Sequence, residues 1–271
     1  MEIKMLTTPE QRLLYDEQGF IMIPSLFSPE EVAVLKAGMA ALHTDQRVAE
    51  AEGRTKGGMV VEDADTPRLQ FDIHRSGTRF DLLARHPRMA GIMQELMAMP
   101  MYIYHSKLAF KDAFTGSVQF WHQDYGYWIT AKHPQPLMAS CLVMLDPHTE
   151  DNGCMQVLAG SHKEGVAAHE PCSREATGDA QIRIPGSIME DYCKQWERVK
   201  FIGEPGDFAA WHSNTMHASA HNISENSRHA AIMAYNAVGN YDPEQRIADD
   251  SPWGAECDTP IVLCADDALT E

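Results

Sequence analysis

Val118-Gln119-Phe120-Trp121-His122-Gln123-Asp124-Tyr125-Gly126-Tyr127-Trp128 is rich in aromatic side chains and short of helix formers, which reads as a β-strand. On a strand, residues two apart face the same side, so His122 and Asp124 converge. The same character recurs on either side of this stretch. Short apolar runs lie at Met101–Phe110, Ala139–Leu145, Met155–Leu158, Lys200–Ile202, Asp207–His212 and Ala230–Ala237. Turn signals separate several of them: Thr115-Gly116, Asp151-Asn152-Gly153 and Pro205-Gly206-Asp207. Many short strands punctuated this way predict a β-sandwich or cupin-like jelly roll.

The residues before Pro100 read differently. Thr8-Pro9-Glu10-Gln11 is a capping box with Pro at the first helical position, opening a helix that ends near Gly19. Phe20 to Pro24 is a short strand. Ser28-Pro29-Glu30-Glu31 opens a second helix, which the apolar spacing of Val32, Leu35, Met39 and Leu42 carries to about His43. Thr44 to Thr66 is polar, contains Gly57-Gly58 and reads as a mobile loop. A further helix spans His86 to Ala98, with Met89, Ile92, Met93 and Leu96 filling core. The chain is thus mainly β with flanking α-helices, a single domain over 1–271. A helical cover occupies about 8–98, the jelly-roll core about 101–240 and a wrapping tail about 241–271. Glu164 to Arg198, with a helix near Ile188 to Val199, is expected to act as a lid.

Composition narrows the function. At 271 residues and 44% hydrophobic content the chain can bury a large core. It has no apolar run long enough to span a bilayer and no secretory signal pattern at Met1-Glu2-Ile3-Lys4-Met5. A net charge of −17 argues against nucleic acid as a partner, because a phosphate backbone calls for a basic stripe. Cys141, Cys154, Cys172, Cys193, Cys257 and Cys264 are scattered with no C-x-x-C pair, which fits reduced thiols in a cytoplasm.

The chemistry sits in two segments. His122 and Asp124, together with a distant histidine in His217-Ala218-Ser219-Ala220-His221-Asn222, make a two-histidine, one-carboxylate set. That set covers one face of an octahedral metal and leaves three positions open, which suits Fe(II) oxygen chemistry. A second His-x-Asp match, His43-Thr44-Asp45, falls where helical spacing points the two side chains apart. Arg228, eleven residues after His217, offers a planar two-pronged donor for a carboxylate. Tyr125, Tyr127, Trp128 and Trp211 could line a pocket for a small polar or cationic metabolite, with core packing expected for at least half of them.

These motifs resemble those of the phytanoyl-CoA dioxygenase family of Fe(II)/2-oxoglutarate-dependent oxygenases, over about Leu13 to Asn240. Asp16-Glu17-Gln18-Gly19-Phe20 and Phe27-Ser28-Pro29-Glu30-Glu31-Val32 are similar to the family's opening. Asp146, Asp151-Asn152-Gly153-Cys154-Met155 and Gly160-Ser161-His162-Lys163 are similar to its centre. Pro205-Gly206-Asp207, His217-x-Ser219-x-x-Asn222 and Arg228 are similar to its close. The chain departs from the family at Ala218, Ala220 and His221, where glycines and often proline are usual.

The resemblance implies a double-stranded β-helix that binds Fe(II) through His122, Asp124 and His217 and uses 2-oxoglutarate and O2. It makes Arg228 and Ser219 partners of the cosubstrate carboxylate. Trp128 and Lys107 become wall or contact residues, with Lys111 competing for the role of Lys107. His221 and His212 are rejected as ligands by spacing. The implied reaction is hydroxylation of a small metabolite or natural-product intermediate, with succinate and CO2 as coproducts. Asp124 separates the chain from the halogenase branch, where a small residue replaces the carboxylate. Two other readings stay open at this level: a cupin-like metal-dependent isomerase or hydrolase, and a non-catalytic small-molecule-binding relative.

Overall fold

A computed structural model describes residues 5–51, 59–63, 66–116, 118–131, 133–173, 180–242 and 258–271. The first helix, α1 (Pro9–Gln18), is closed by the expected box: Gln11 N–H donates to Thr8 Oγ1 at 3.2 Å and Thr8 N–H to Gln11 Oε1 at 2.8 Å. Gly19 ends it at φ 78°, a conformation that favours glycine. After β1 (Phe20–Ile23), Ser28 and Glu31 form the second box and open α2 (Pro29–Ala51).

Here the expected loop is corrected. α2 runs past His43 to Ala51, and β2 (Met59–Asp63) and β3 (Thr66–Phe71) follow as an antiparallel pair. Gln46-Arg47-Val48-Ala49-Glu50-Ala51 is polar enough to resemble a loop, yet most of it is good helix former. Met59-Val60-Val61 is too short to announce a strand, and it gains its place by sheet pairing.

A short helix, α3 (Arg79–Leu83), precedes the expected His86–Ala98 helix. The latter is a wide turn at Pro87–Gly91 leading into α4 (Ile92–Met97), with Met89, Ile92, Met93 and Leu96 buried as expected. The strands come next: β4 (Met101–Ala109) and β5 (Gln119–His122), then a single helical turn and a half, α5 (Asp124–Trp128). The Val118–Trp128 strand is therefore corrected to a strand that stops at His122. β6 (Met138–Met144), β7 (Met155–Leu158), β8 (Glu170–Ser173) and β9 (Ala180–Arg183) follow. α6 (Gly186–Gln195) starts and ends earlier than expected, and β10 (Arg198–Lys200) precedes the predicted Lys200–Ile202. β11 (Phe208–His212), β12 (His217–Ser219) and β13 (Ala230–Ala237) complete the core.

Among the described residues the strands form a seven-stranded sheet, β1-β11-β6-β13-β4-β3-β2, and a four-stranded sheet, β10-β7-β12-β5. A two-stranded ribbon, β8-β9, joins neither sheet and packs against β5, with Ile184 N–H donating to Trp121 O at 2.8 Å. All pairings are antiparallel, as a jelly roll requires.

The larger sheet is covered on both faces, and its strands say so in their sequence. On β6, Cys141 and Val143 join the core shared with α2 and α4, while Leu142 and Met144 join the core between the two sheets. β11 repeats the division with Phe208 and Ala210 against Ala209 and Trp211. Period-2 alternation with two apolar destinations produces near-continuous apolar runs. Each large aliphatic or aromatic side chain so buried contributes roughly 1.5–3 kcal/mol. The last described segment, 258–271, lies on the helical layer. Ile261 N–H donates to Met101 O at 2.8 Å, Cys264 N–H to Arg85 O at 3.0 Å, and Leu269 is buried. No helix among the described residues is long and apolar enough to cross a membrane.

Candidate active site

His122 ends β5 and His217 begins β12, and the two are direct partners in the antiparallel register. Their ring centroids stand 4.1 Å apart. Each ring is tied by Nδ1 to the carbonyl two residues earlier in its own chain: His122 to Phe120 O at 2.7 Å, His217 to Thr215 O at 2.9 Å. A carbonyl only accepts, so Nδ1 carries the proton in both rings and each Nε2 keeps its lone pair for a metal.

Asp124 arrives by a different route from the one alternation predicts. It is the first residue of α5, and the extended Gln123 (φ −112°, ψ 137°) carries its side chain round to the side of His122. Gln123 is pinned to hold that bend. Its Nε2 donates to Gly165 O and Asn214 O, both at 2.7 Å, and its Oε1 accepts from Ala167 N–H at 2.8 Å. Asp124 Oδ2 accepts from Ser140 Oγ at 2.7 Å and Trp211 Nε1 at 2.9 Å. Oδ1 is left facing His122 Nε2 at 3.8 Å and His217 Nε2 at 3.6 Å.

Those separations are too long for hydrogen bonds. They lie near the roughly 3–4 Å between ligand atoms that share one ion at bonds of about 2.1 Å. One ligand atom from each of the three residues falls within 4.8 Å of the others, and the metal-competent cluster among the described residues is this one. Burial alone would raise the Asp124 carboxyl. His217, His122 and Lys107 outweigh it and hold the group well below the usual carboxylate range. Burial and the neighbouring His122 push His217 down to about 4, so its ring is neutral and ready to ligate at physiological pH.

The triad opens into a cavity of about 410 Å³. The other sequence-predicted residues, Arg228, Ser219, Trp128 and Lys107, all line it, as does Lys111. Arg228 is buried, its Nε has no hydrogen-bond partner, and no carboxylate among the described residues pairs with it. Burial lowers its guanidinium to about 10, which still leaves it charged at neutral pH. A buried cation without a counter-charge is costly unless an anion completes it, so the cavity fits a carboxylate ligand as well as a metal. Lys111 donates to the Ala220 carbonyl. Trp128 packs edge-on against Tyr104 and His105, with centroids at 5.4 and 5.7 Å.

A family model, phytanoyl-CoA dioxygenase (PhyH), matches residues 15–230. The chain belongs to the phytanoyl-CoA dioxygenase family. The enzyme class read from the sequence, an Fe(II)/2-oxoglutarate-dependent dioxygenase, stands on that membership, and iron and 2-oxoglutarate are the metal and cosubstrate of the class. Among relatives, ectoine dioxygenase of Stutzerimonas stutzeri is 29% identical over 232 residues, covering 83% of this chain and 76% of the relative. L-proline trans-4-hydroxylase of Streptomyces griseoviridis is 24% identical, covering 85% of this chain and 87% of the relative. The crystal structure of EctD from S. alaskensis with 2-oxoglutarate and 5-hydroxyectoine superposes with a TM-score of 0.74 at 25% identity, over 94% of this chain and 82% of that one.

Within this phytanoyl-CoA dioxygenase family chain the rejected histidines have other work. His212 Nδ1 accepts the Asn214 N–H at 3.0 Å, and His221 Nδ1 donates to Gly116 O at 3.0 Å from an exposed position. His43 and Asp45 lie on α2, and their side chains fall outside the described residues. Of the aromatic group, Tyr127, Trp128 and Trp211 line the cavity. Tyr125 does not, and its hydroxyl donates to His133 O at 2.9 Å in the core. Sequence reading missed that Ser140 and Trp211 hold Asp124, and that Gln181 on β9 reaches the cavity wall. No spacing rule links Ser140 or Trp211 to Asp124, because stacking of the sheets brings them together. Gln181 falls inside the 164–198 segment already marked for its length.

Proposed function

We propose that the protein hydroxylates a small metabolite or natural-product intermediate in an Fe(II)- and 2-oxoglutarate-dependent reaction, releasing succinate and CO2. His122 Nε2, His217 Nε2 and Asp124 Oδ1 would hold the iron, and Arg228, with Ser219 beside it in the cavity wall, would take the cosubstrate's far carboxylate. The observation that carries this reading is the unpartnered, buried Arg228 guanidinium in the same cavity as the triad. A cupin-like isomerase or hydrolase has no use for that cation, and a mere binding relative has no need of two histidines held in the metal-ready tautomer.

When bound, the iron and 2-oxoglutarate supply the oxidising power that breaks a substrate C–H bond. The chain's own part is positional. Ser140 and Trp211 fix one oxygen of Asp124 so that the other points at the ion, and the Nδ1 bonds fix both rings. Tyr127, Trp128 and Tyr104 wall the space beside the triad and exclude water.

The wall's charges speak to the substrate. Among the described lining residues, with Arg228 assigned to the cosubstrate and Asp124 to the triad, the charges left are the cations Lys107 and Lys111. That balance favours an anionic or zwitterionic substrate over the bare cation that the aromatic residues alone suggested. It agrees with relatives named for ectoine and proline. The volume suits a small molecule better than an acyl-CoA. We further infer one domain over 1–271. The free thiols Cys141, Cys154, Cys172, Cys193 and Cys264 fit a reducing compartment such as the cytoplasm. The test is succinate release from the iron-loaded protein with a panel of small amino and imino acids, cyclic zwitterions, quaternary amines and acyl-CoA esters. Substrate-dependent release is expected from the zwitterions. Release with acyl-CoA alone would overturn the small-metabolite reading.

A further inference from the structure

Arg228 is followed by a histidine that does not line the cavity and whose side chain enters a partly buried charge cluster. His229 Nε2 lies 2.8 Å from Asp112 Oδ1, and its Nδ1 lies 2.8 Å from Asp146 Oδ2. The Nε2 contact is a hydrogen bond, whereas Nδ1 faces its carboxylate as an ion pair without hydrogen-bond alignment. A bare lone pair there would stand against an anionic oxygen, so the two carboxylates together favour the imidazolium. The cluster spans the fold. Lys36 on α2 reaches Asp146 Oδ1 at 2.5 Å, and the His229 backbone N–H donates to Asp146 Oδ2 at 3.0 Å. His148 faces His229 O at 3.5 Å, and burial and the nearby Arg228 keep it neutral. The edge of Phe110 closes the remaining side, with ring centroids 5.5 Å apart.

The two ends of this bridge hold the backbone that carries Arg228. Arg228 N–H donates to Lys111 O at 2.8 Å, and Asn222 Nδ2 donates to Lys111 O at 3.1 Å and to Asp112 O at 3.0 Å. The 111–112 segment is thus the seat of the Arg228 backbone, and His229 ties that seat to the residues that follow β6.

We propose that His229 is a positioning residue for the cosubstrate anchor: its imidazolium bridges Asp112 and Asp146, holds the Arg228 backbone in the geometry that receives 2-oxoglutarate, and weakens cosubstrate binding when it loses its proton. This rests on the assignment of Arg228 to 2-oxoglutarate made above. A neutral ring has one N–H, so deprotonation turns a lone pair toward one carboxylate. Nδ1, which has no hydrogen-bonded partner, is the nitrogen that gives up its proton. Asp146 is fixed by Lys36 and the His229 N–H, so the ring moves off it. Asp112, 40% exposed and without those partners, is the side that shifts with the ring. Burial opposes the charge on His229, but Asp112 and Asp146 outweigh it and raise the group to about 8. The charged bridge is therefore intact below pH 7 and is lost as pH rises through about 8.

The experiment is calorimetric titration of 2-oxoglutarate into the anaerobic, Fe(II)-loaded full chain from pH 6.5 to 9.5, beside an NMR titration of the His229 ring with and without cosubstrate. The expected loss of affinity across that range is about fivefold or more, and by reciprocity bound 2-oxoglutarate raises the His229 titration midpoint by the same factor. His229→Gln should bind with the weak, alkaline-limit affinity at every pH. Asp112→Asn, which can donate to a neutral ring, should move the break downward by about one pH unit or more. A simple structural role predicts equal weakening at all pH values with the break preserved. Cosubstrate affinity that is flat with pH in the parent, or a break that persists in His229→Gln, overturns the proposal. If Arg228→Ala binds 2-oxoglutarate as tightly as the parent, the anchor assignment itself has failed, and that outcome is separate from the other two.

Discussion

Trp211 and Ser140 donate to one oxygen of Asp124 and thereby aim the other, so the candidate metal site depends on residues outside its three ligands. Trp211→Phe keeps an aromatic ring, though a smaller one than the indole, and removes the Nε1 donor. We expect it to lower Fe(II) affinity by roughly 10–100-fold with the fold intact, as loss of an outer-sphere partner generally does. Competition for iron against a chelator, with circular dichroism as the control, measures this. Arg228→Lys should fail to restore the 2-oxoglutarate KM lost in Arg228→Ala, because an ammonium cannot present the two-pronged donor. Steady-state kinetics against cosubstrate concentration would show both variants raised by about tenfold or more. At this scale the candidate ligands and the proposed anchor could be picked out because chemistry fixes their types and spacing, and the structure brings them to one cavity. The supports were not, since a tryptophan 87 residues from Asp124 is joined to it only by the packing of two sheets.

At the scale of elements, the site rests on the place where β5 gives way to α5. Gln123 holds the bend with three hydrogen bonds to two other segments. The sequence read this stretch as one strand because its aromatics suit a strand, and nothing local announces that the chain turns after His122. The strands on either side of it were legible, since burial on both faces leaves continuous apolar runs. The 44–66 stretch was not, because α2's last turns are polar enough to resemble a loop and β2 takes its place by pairing with β3 more than by its own pattern. Gly206 gives a test at this scale. It sits at φ 96° in the turn into β11, its N–H donates to Met144 O at 2.9 Å and its carbonyl accepts Phe27 N–H at 3.0 Å. A methyl there would strain the backbone and collide with the Phe27 carbonyl oxygen. Gly206→Ala should cost more than about 1 kcal/mol, read as a lowered urea midpoint.

Over the whole molecule, buried neutral histidines couple stability to pH. Burial lowers His74 and His212 to about 4 and His105 to about 3. In the unfolded chain these rings take up protons as pH falls below their ordinary value near 6.5, while in the fold they do not. Their contribution is full above that value and is lost as pH falls toward 4, so the melting temperature should drop steadily between those limits. A melting temperature that stays level from pH 7 to pH 4.5 would contradict this. Between them the two sheets hold the triad and the cavity it opens into. The most direct test that this is an iron and 2-oxoglutarate site is anaerobic addition of Fe(II), then 2-oxoglutarate, to the folded apo-protein, watching for the weak visible metal-to-ligand charge-transfer band. A band that requires both additions and disappears in His217→Ala is the expected result. Folded, iron-loaded protein that shows no band with 2-oxoglutarate would contradict it.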